Sequence, residues 1–342
     1  MKKRKKVFLA LSGGRDSAVA GYLLRKSGYE VTAVFFKLFK GQEKIKLVRA
    51  KKTAKKLQIP FMVWDFKKEF KKRVIQDFVK QYKLGLTPNP CIVCNHLIKF
   101  GLFYRKAKEM KADFIATGHY VQRAKIKNKF YLKKAHDKEK DQSYFLWRLK
   151  PQFIKNCLFP LGKVKSKRVS KIAKKQKFIS KDYKSSQEIC FVPGFLNEFL
   201  KNKIKTKKGK ILEKGSREFL GDHQGVFLYT LGQRTGLGLS GGPWYVVDKN
   251  VKKNIIFVTR DKSDLLQKRV NLKLVNIIKK INLPTSVVAK PRYRHRGSLA
   301  NFKKNKGKYI IQFKKSQRAL TPGQSVAIYK NNFLIGGGII KK

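Results

Sequence analysis

Short apolar runs alternate with longer, helix-periodic stretches over the first third of the chain. The apolar runs predict strands over Val7–Leu11, Val31–Lys37, Phe61–Asp65 and Asp113–Thr117. The periodic stretches predict helices over Asp16–Ser27, Ile45–Gln58, Glu69–Lys83 and His96–Met110, and lysine-rich helical stretches fill residues 141–182. Strands and helices in turn are the pattern of βαβ units, whose strands lie in one parallel sheet. We therefore predict an α/β domain with a doubly wound parallel sheet over residues 1–205.

The pattern changes near residue 205, where helical periodicity ends and closely spaced glycines separate short β-prone pieces. The predicted strands include Gly225–Thr230 and Trp244–Val247 and, from about Leu274, Ser286–Arg294, Tyr309–Phe313, Ser325–Tyr329 and Phe333–Ile340. Many short strands between turns are typical of small barrels and sandwiches. This pattern predicts a small central β domain over residues 206–272 and a β-barrel over residues 273–342.

The charge of the chain is extreme, because 83 Lys and Arg against 20 Asp and Glu give a formal net charge of +63 over 342 residues. Such a field attracts polyanions, and RNA is the natural candidate. The lysines are spread over every segment, however, as an AT-rich genome would also produce. The charge therefore indicates a nucleic-acid partner without locating a binding surface.

Two further features place the chain in a cellular setting. The apolar run Val7–Leu11 is too short for a signal peptide, and no run approaches the ~18 apolar residues of a membrane helix. The cysteines, Cys91, Cys94, Cys157 and Cys190, are too few and too unevenly spaced for a disulfide framework. We expect a cytoplasmic protein, without a membrane partner, whose thiols are reactive or bind metal.

The first predicted strand ends in Ser12-Gly13-Gly14-Arg15-Asp16-Ser17, and a helix follows at once. Glycines let a backbone approach an anion closely, and a helix N-terminus supplies N–H donors and partial positive charge. The loop is neither a Walker loop nor a GxGxxG loop. It predicts a phosphate cradle, and the simpler alternative is a helix cap with Asp16 and Ser17 in the first turn.

A second constellation is Thr87-Pro88-Asn89-Pro90-Cys91-Ile92-Val93-Cys94, a stiff proline turn before a helix start. Two cysteines with this spacing suit either a thiolate nucleophile or a pair of metal or iron–sulfur ligands. Cys190 is the obvious third thiol. Cys157 lies among apolar residues and is expected to be a buried small side chain.

The loop after the first strand resembles the SGGxDS pyrophosphate loop of the ATP-pyrophosphatase superfamily, and further blocks resemble the bacterial tRNA-specific 2-thiouridylases. These blocks keep the family's order: Thr87–Phe100, Ala116–Tyr120, Lys140–Leu146, Gln187–Phe191, Leu231–Gly238, Pro243–Val247 and Pro322–Ser325. The resemblance implies a PP-loop fold of the adenine nucleotide alpha hydrolase type, followed by two small β domains. It also implies ATP-dependent adenylation of the 2-oxygen of a wobble uridine in tRNA, followed by displacement of AMP by sulfur. ATP with Mg²⁺ and tRNA are thus the implied cofactor and partner.

The resemblance carries specific roles onto this sequence. The implied ATP-binding residues are Ala10, Leu11, Ser12, Gly13, Gly14, Arg15, Asp16, Ser17, Phe36 and Gly118, with Phe36 against the adenine. Asn89, Pro90 and Cys91 would border the target base. The other implied tRNA contacts are His119, Lys140, Asp141, Gln142, Arg292, Tyr293 and Gln324. Cys94 would be the cysteine on the nucleophile side and Cys190 the persulfide carrier.

The sequence departs from the family at three positions. Many members carry Asp where this chain has Cys91, and here Cys91, Cys94 and Cys190 make three thiols. Three cysteines suffice for a [4Fe–4S] cluster with one iron open to hydrosulfide. Our hypothesis from the sequence is such a cluster. In the alternative, Cys190 carries a persulfide and a Cys94–Cys190 disulfide forms and must be reduced.

The sulfur donor is accordingly either sulfide or a persulfide relay protein. The other two departures are Arg15, where the family usually has a small apolar residue, and Ser185, where an acidic residue often stands. Neither position is assigned a role from the sequence.

Two other function classes compete with thiolation. Argininosuccinate, GMP and NAD synthetases share the SGGxDS loop but have no need of a CxxC pair with a distant third cysteine. A non-catalytic RNA-binding protein would use the barrels and the positive charge without the loop. Turnover of ATP stimulated by tRNA rather than by a small acid or amine would exclude the synthetases. Loss of AMP formation with retained RNA binding, on replacing Asp16 and Ser17 by Ala, would exclude the non-catalytic protein.

Overall fold

The chain folds as two units in the computed structural model, which describes residues 4–39, 43–178 and 189–342. The first unit consists of Met1–Val74, Cys91–Glu188 and Asn331–Ile335, and the second of Ile75–Pro90, Ile189–Lys330 and Gly336–Lys342. Gln187 and Glu188, which begin one of the family-like blocks, and Ser185 lie outside the described residues.

The elements of the described residues follow in chain order. The strands are β1 Lys6–Ala10, β2 Glu30–Lys37, β3 Phe61–Asp65, β4 Phe114–Ala116, β5 Gln122–Ile126, β6 Lys129–Lys133, β7 Cys157–Leu158, β8 Gly209–Glu213, β9 Phe219–His223, β10 Tyr245–Asn250, β11 Ile255–Thr259, β12 Leu266–Ile277, β13 Thr285–Lys290, β14 Ser298–Asn305, β15 Lys308–Arg318, β16 Ser325–Lys330 and β17 Phe333–Ile340. The α-helices are α1 Arg15–Lys26, α2 Glu43–Lys56, α3 Lys67–Phe70, α4 Gln76–Lys83, α5 Pro90–Cys94, α6 Phe103–Glu109, α7 Pro151–Lys155, α8 Ser166–Lys175 and α9 Leu196–Lys201. Two π-helical segments, Lys71–Ile75 and Asn95–Leu102, join α3 to α4 and α5 to α6.

The first unit is built on a five-stranded parallel sheet with the order β3-β2-β1-β4-β7. The predicted α/β fold class is therefore confirmed. The chain proceeds from β1 to β2 and β3 on one side and places β4 on the other side of β1. The strand order thus reverses between β1 and β4, and such a switch point is where ligands bind at the carboxyl ends of parallel strands.

The core of the first unit is centred on the contact of α1 with the sheet. Val19 and Ala20 of α1 are fully buried in one cluster with Leu9 of β1 and Val169 of α8. A Cβ atom on Gly21 would lie 2.8 Å from the Leu9 side chain, so α1 approaches β1 closely. This packing fixes the beginning of α1, and with it the loop that precedes the helix.

The second unit contains two β assemblies. A mixed four-stranded sheet has the order β10-β11-β8-β9, and β12-β15-β14-β13-β16-β17 close on themselves through the pairing of β12 with β17. Closure leaves no unpaired edge among these six strands. The prediction of two small β assemblies after the α/β region is confirmed, while the predicted domain boundaries stay predictions.

One predicted strand differs from the structure. The segment Gly225–Thr230 is not a strand; Val226–Leu228 form a 3₁₀ turn. The backbone N–H of Gly225 donates to His223 Nδ1 (3.0 Å) and that of Val226 donates to Asn254 Oδ1 (3.3 Å). Side chains therefore take the place of the strand partners that the apolar run would otherwise require.

The hairpin of β5 and β6 is not predicted by the sequence pattern, because its sequence is basic and its residues are mostly half-buried or exposed. It belongs to the first unit, where Phe333 at the start of β17 pairs with Lys133 of β6. In the part of the chain that the structure describes, no helix combines the length and apolar character needed to cross a membrane.

Candidate active site

The loop Ser12–Ser17 follows the carboxyl end of β1 and leads directly into α1. Gly13 has φ +74°, and a Cβ atom there would lie 2.2 Å from the carbonyl oxygen of Lys46 in α2. Both the backbone conformation and the space therefore require glycine at this position. The backbone then turns through Gly14, which caps α1 in an extended conformation.

Two serines hold the loop in its folded form. Ser17 Oγ donates to the carbonyl oxygen of Gly14 (3.0 Å) and accepts from the backbone N–H of Ser12 (3.2 Å), and the two hydroxyl oxygens are 3.1 Å apart. Ser17 is buried and Ser12 is exposed. The loop is thus preformed at the N-terminus of a twelve-residue helix, the arrangement that binds anions through backbone N–H groups and the helix dipole.

The loop after β4 packs onto the loop after β1. A Cβ atom on Gly118 would lie 2.9 Å from the backbone nitrogen of Ser17 and 3.0 Å from the carbonyl carbon of Asp16. The sequence blocks SGGRDS and ATGHY therefore meet at the switch point of the sheet. Gly118 permits this approach, and any larger residue would push the two loops apart.

His119 in the same loop is a neutral imidazole. Its Nδ1 is 2.9 Å from Thr117 Oγ1, and its ring centre is 5.7 Å from that of Phe100. Burial and, second, the nearby Lys99 lower the pKa of His119 to about 3. Any contact of His119 with RNA would be made by an uncharged ring.

Phe36 lies at the carboxyl end of β2 and is half-buried. Its ring centre is 4.9 Å from that of Phe103 and 5.4 Å from that of Phe66. The ring is therefore held from the protein side by two aromatic neighbours. Such a fixed, half-buried ring is suited to face a planar base.

The CxxC pair occupies the short helix α5. Cys91 is exposed and Cys94 is buried, and the helix changes to π geometry at Asn95, immediately after Cys94. Residues three apart on a helix lie on the same side. Asn95 is buried, and its Nδ2 donates to the carbonyl oxygen of Phe145 (3.2 Å), which ties this helix to the segment that follows Gln142.

The proline turn before α5 is held within the second unit. The backbone N–H of Thr87 donates to the carbonyl oxygen of Pro322 (3.0 Å), and Thr87 Oγ1 is 3.3 Å from Thr230 Oγ1. A Cβ atom on Gly323 would lie 2.8 Å from the nitrogen of Thr87. The turn that carries Asn89 and Pro90 thus meets the loop that carries Gln324.

The remaining barrel residues belong to the same network. Arg292 is exposed, and its Nη1 donates to the carbonyl oxygen of Arg318 (3.1 Å). Arg318 Nη2 in turn donates to the carbonyl oxygen of Gly232 (3.0 Å), in the LGQRTG block. Tyr293 follows in the connection between β13 and β14 and is half-buried.

The three residues of the KDQ block differ sharply in exposure. Lys140 is exposed, Gln142 is half-buried, and Asp141 is buried. The Asp141 carboxylate accepts from the backbone N–H of Ala135 (3.0 Å), the backbone N–H of Ser143 (3.2 Å) and the hydroxyl of Ser143 (2.9 Å). These bonds fix the local loop and leave Lys140 as the member of the block that faces solvent.

Cys190 is exposed at a turn of the second unit. The next residue, Phe191, is buried, with ring centres of Phe78 and Phe199 at 5.4 and 5.8 Å. Cys157, by contrast, is fully buried, and burial raises the pKa of its thiol. An anchored but exposed thiol is suited to exchange sulfur with a partner, whereas Cys157 is not.

The expected iron–sulfur cluster is not supported by the described residues. Among residues 4–39, 43–178 and 189–342, no group of three or more His, Cys, Asp or Glu side chains is arranged to hold a metal ion. We derive no step of the reaction through a cluster.

Sequence reasoning missed the connecting roles of two residues inside its own motifs. Tyr120 donates from its hydroxyl to Asp16 Oδ1 (3.1 Å), and Asn95 links the cysteine helix to Phe145. Both residues are visible in the blocks ATGHY and PCIVCN. Their partners are distant in sequence, however, and only the fold brings them together.

Family models match the chain in three consecutive parts. The tRNA methyl transferase HUP domain matches residues 5–194, the tRNA methyl transferase PRC-barrel domain matches residues 197–260, and the aminomethyltransferase beta-barrel domain matches residues 267–340.

Curated relatives are similar over their full length. The tRNA-specific 2-thiouridylase MnmA 1 of Clostridium botulinum (strain Loch Maree / Type A3) is 40% identical, over 99% of this chain and 100% of the relative. The tRNA-specific 2-thiouridylase MnmA of Buchnera aphidicola subsp. Acyrthosiphon pisum (strain APS) is 40% identical, over 100% of this chain and 98% of the relative. Among solved structures, a 4-thiouridine synthetase–RNA complex with bound ATP is similar at a TM-score of 0.35 and 18% identity, over 51% of this chain and 41% of that chain, which is too low to bear on function.

Proposed function

The chain belongs to the tRNA-specific 2-thiouridylase family, and on that premise we propose that it uses ATP to replace the 2-oxygen of a tRNA uridine with sulfur. The observation that carries the proposal is the preformed loop Ser12–Ser17 at the sheet's switch point, packed against Gly118. Methyl transfer, which the descriptions of two matched models mention, would not need such a loop or a CxxC pair.

The ATP half of the reaction belongs to the first unit. The loop residues Ala10–Ser17 hold the pyrophosphate part of ATP, and Phe36 faces the adenine. The uridine 2-oxygen attacks the α-phosphorus, and pyrophosphate leaves on the loop. A carbonyl oxygen is a poor leaving group, and its attachment to AMP makes it a good one. Mg²⁺ enters with ATP as part of the substrate, and Asp16 is the carboxylate beside it.

The sulfur half uses cysteines. A persulfide relay protein loads a sulfane sulfur onto the exposed Cys190. The terminal sulfur attacks C2 of the adenylated uridine, and AMP leaves. The Cys94 thiolate then attacks Cys190 Sγ, which releases 2-thiouridine and forms a Cys94–Cys190 disulfide. A cellular thiol reductant restores both thiols. Cys91 borders the base and takes no part in the exchange.

The proposed tRNA contacts come from residues of both units. Asn89 and Pro90 border the target base, which leaves the single-stranded anticodon loop at low cost. Lys140 and Arg292 are exposed cations that suit phosphate contacts, whereas buried Asp141 positions the loop beside Lys140. Tyr293 and Gln324 complete the contacts to tRNA, and the reaction takes place in the cytoplasm with the tRNA pool.

The proposal is tested with the double variant Asp16→Ala, Ser17→Ala. Formation of AMP in the presence of an unmodified tRNA transcript is expected to cease, while the affinity for tRNA stays within about twofold, because the loop holds ATP and other residues hold RNA. Ser27→Ala, at the other end of α1, is the matched control and should act as the wild type. Unchanged AMP formation by the double variant, or ATP turnover indifferent to tRNA in the wild type, would contradict the proposal.

A further inference from the structure

One carboxylate oxygen of Asp16 accepts two hydrogen bonds. The hydroxyl of Tyr120 donates to Oδ1 (3.1 Å), and Arg15 Nε donates to the same atom (2.8 Å). Within the residues that the structure describes, Oδ2 accepts no hydrogen bond from protein. The carboxylate is thus held through one of its two oxygens.

The Tyr120 side of this arrangement leads to the KDQ block. The Tyr120 N–H donates to Gln142 Oε1 (3.1 Å), and the Gln142 N–H donates to the carbonyl oxygen of Tyr120 (2.9 Å). Tyr120 is 1% exposed, so its ring has no room to move independently of this ladder. A displacement of Gln142 would therefore be transmitted to the hydroxyl that touches Asp16.

The Arg15 side leads to a basic helix surface. Arg15 Nη1 donates to Ser170 Oγ on α8 (3.0 Å), and α8 packs its buried Val169 and Ala173 into the same core as α1. The solvent side of α8 is a row of exposed cations: Lys167, Arg168, Lys171, Lys174 and Lys175. A polyanion on this face would order the helix to which Arg15 is tied.

We propose that Tyr120 and Arg15 are positioning residues that couple tRNA binding to the ATP loop through Asp16 Oδ1. RNA contacts at the Gln142 segment and at α8 fix the positions of the Tyr120 hydroxyl and the Arg15 guanidinium. These two donors in turn fix the orientation of the Asp16 carboxylate. ATP is then bound in reactive form mainly when tRNA is present. The inference rests on the proposed function and adds to it the means by which the substrate RNA regulates use of ATP.

The coupling is measured as a change in affinity. The affinity of α,β-methylene-ATP is determined by calorimetry with and without an unmodified tRNA transcript, and a coupled system is expected to show a change of at least about fivefold. In Tyr120→Phe the change should fall below about twofold, while the affinity without tRNA and the melting temperature stay near those of the wild type. By reciprocity, the analogue should also lose its effect on tRNA affinity in this variant.

Matched variants separate positioning from general structural loss. Tyr82→Phe also removes the phenol oxygen of a buried tyrosine, one that makes no hydrogen bond among the described residues, and should keep the full coupling. Arg15→Met should also lose the coupling, taken as the ratio of analogue affinities with and without tRNA because Arg15 is itself a loop residue whose loss can change the affinity for ATP, whereas Arg25→Met on the same helix should keep it. If Tyr120→Phe does not fold, Arg15→Met decides the question.

Coupling that persists in Tyr120→Phe and Arg15→Met would overturn the inference, and so would a wild-type protein whose analogue affinity is indifferent to tRNA. Failure of the proposed function is a separate result. It would appear as absence of 2-thiouridine from tRNA treated with the wild-type protein, ATP and a persulfide donor, as measured by mass spectrometry.

Discussion

The two units assemble their sequence motifs by different means. In the first unit, the loops after β1 and β4 meet because Gly118 lets backbone approach backbone at the end of a parallel sheet, and Gly13 allows a similar approach of the loop to Lys46 of α2. In the second unit, the loops around Thr87, Thr230 and Pro322 meet through hydrogen bonds between a threonine and its neighbours. The first arrangement depends on close approach of backbone alone, whereas the second combines a close approach at Gly323 with hydrogen bonds of Thr87.

Single substitutions should therefore lower activity most where backbone approaches backbone. A steric approach fails when one atom is added, because backbone has nowhere to go. Cations dispersed over an exposed barrel surface, by contrast, jointly hold a polyanion, and each contributes little.

The largest effect is expected at the cysteines of the proposed sulfur transfer. Cys94→Ala and Cys190→Ala should each lower 2-thiouridine formation by about a thousandfold or more, because a nucleophile or carrier is removed, while adenylation continues. The readout is thiolated nucleoside by mass spectrometry beside AMP formation.

Two controls accompany these variants. Cys157→Ala removes a buried thiol with a raised pKa and should retain thiolation. Cys91→Asp should also retain it. Loss of thiolation in Cys91→Asp to the level of Cys94→Ala would show that three thiols act together and would refute the persulfide route.

The next effect concerns the steric approach of the loops. Gly118→Ala would place a Cβ atom 2.9 Å from the nitrogen of Ser17. We expect a decrease of about a hundredfold in tRNA-dependent pyrophosphate release, because loop geometry controls the reacting groups. Gly215→Ala, a substitution into open space in the second unit, is the control and should be silent. Equal rates of pyrophosphate release in the two variants would show that the close approach at Gly118 does not control the loop geometry.

A smaller effect is expected from the half-buried imidazole of His119. Its pKa is lowered from 6.5 to about 3 in the folded protein. At pH values between these two, the imidazole binds a proton in the unfolded chain but not in the folded protein. His119 therefore destabilises the folded state as the pH falls below 6.5, by up to about 2 kcal/mol at pH 5. Urea unfolding at pH 7.5 and pH 5 should show this decrease in stability in the wild type and a smaller decrease in His119→Gln. The exposed His136→Gln is the control, and an equal reduction there would contradict the assignment.

The smallest effect is expected on the barrel. Lys314 and Lys315 are exposed at the solvent side of β15. Replacing both by Gln should weaken tRNA binding by only about two- to fivefold and lower the slope of log affinity against log salt concentration by about one for each lysine. Fluorescence titrations over a range of salt concentrations measure both quantities. A hundredfold weakening would mean that this face holds RNA through a few specific interactions.

The parallel sheet could be predicted from the sequence because each of its early strands is a short, nearly continuous apolar run. The predicted span Phe61–Asp65 coincides with β3, and Val7–Leu11 is displaced by one residue from β1. Its neighbour, the β5–β6 hairpin, carries no such signal, since it is half-buried and turns at Lys127 with φ +50° rather than at a glycine. A periodic pattern of apolar residues appears only where one face of an element is buried, and few residues of this hairpin are buried.

The site could be predicted in its parts but not in its connections. The blocks around Ser12, Cys91 and Gly118 are visible in the sequence because each contains unusual turn or cysteine chemistry. The hydrogen bonds of Tyr120 with Asp16 and of Asn95 with Phe145 join residues about 50 to 100 positions apart, and no local pattern marks them. The cluster hypothesis stays without support, because no metal-holding group of His, Cys, Asp or Glu is found among residues 4–39, 43–178 and 189–342.

The most direct test of the central claim is 2-thiouridine formation by iron-free protein. The protein, purified with a chelator and verified to lack iron, is given an unmodified tRNA transcript, ATP and a persulfide donor under reducing conditions. Thiolated nucleoside equal to that made by iron-reconstituted protein is the expected result, and it would make Cys94 and Cys190 sufficient for sulfur transfer. Product that appears only after reconstitution with iron and sulfide would contradict the account and return Cys91, Cys94 and Cys190 to the role of cluster ligands.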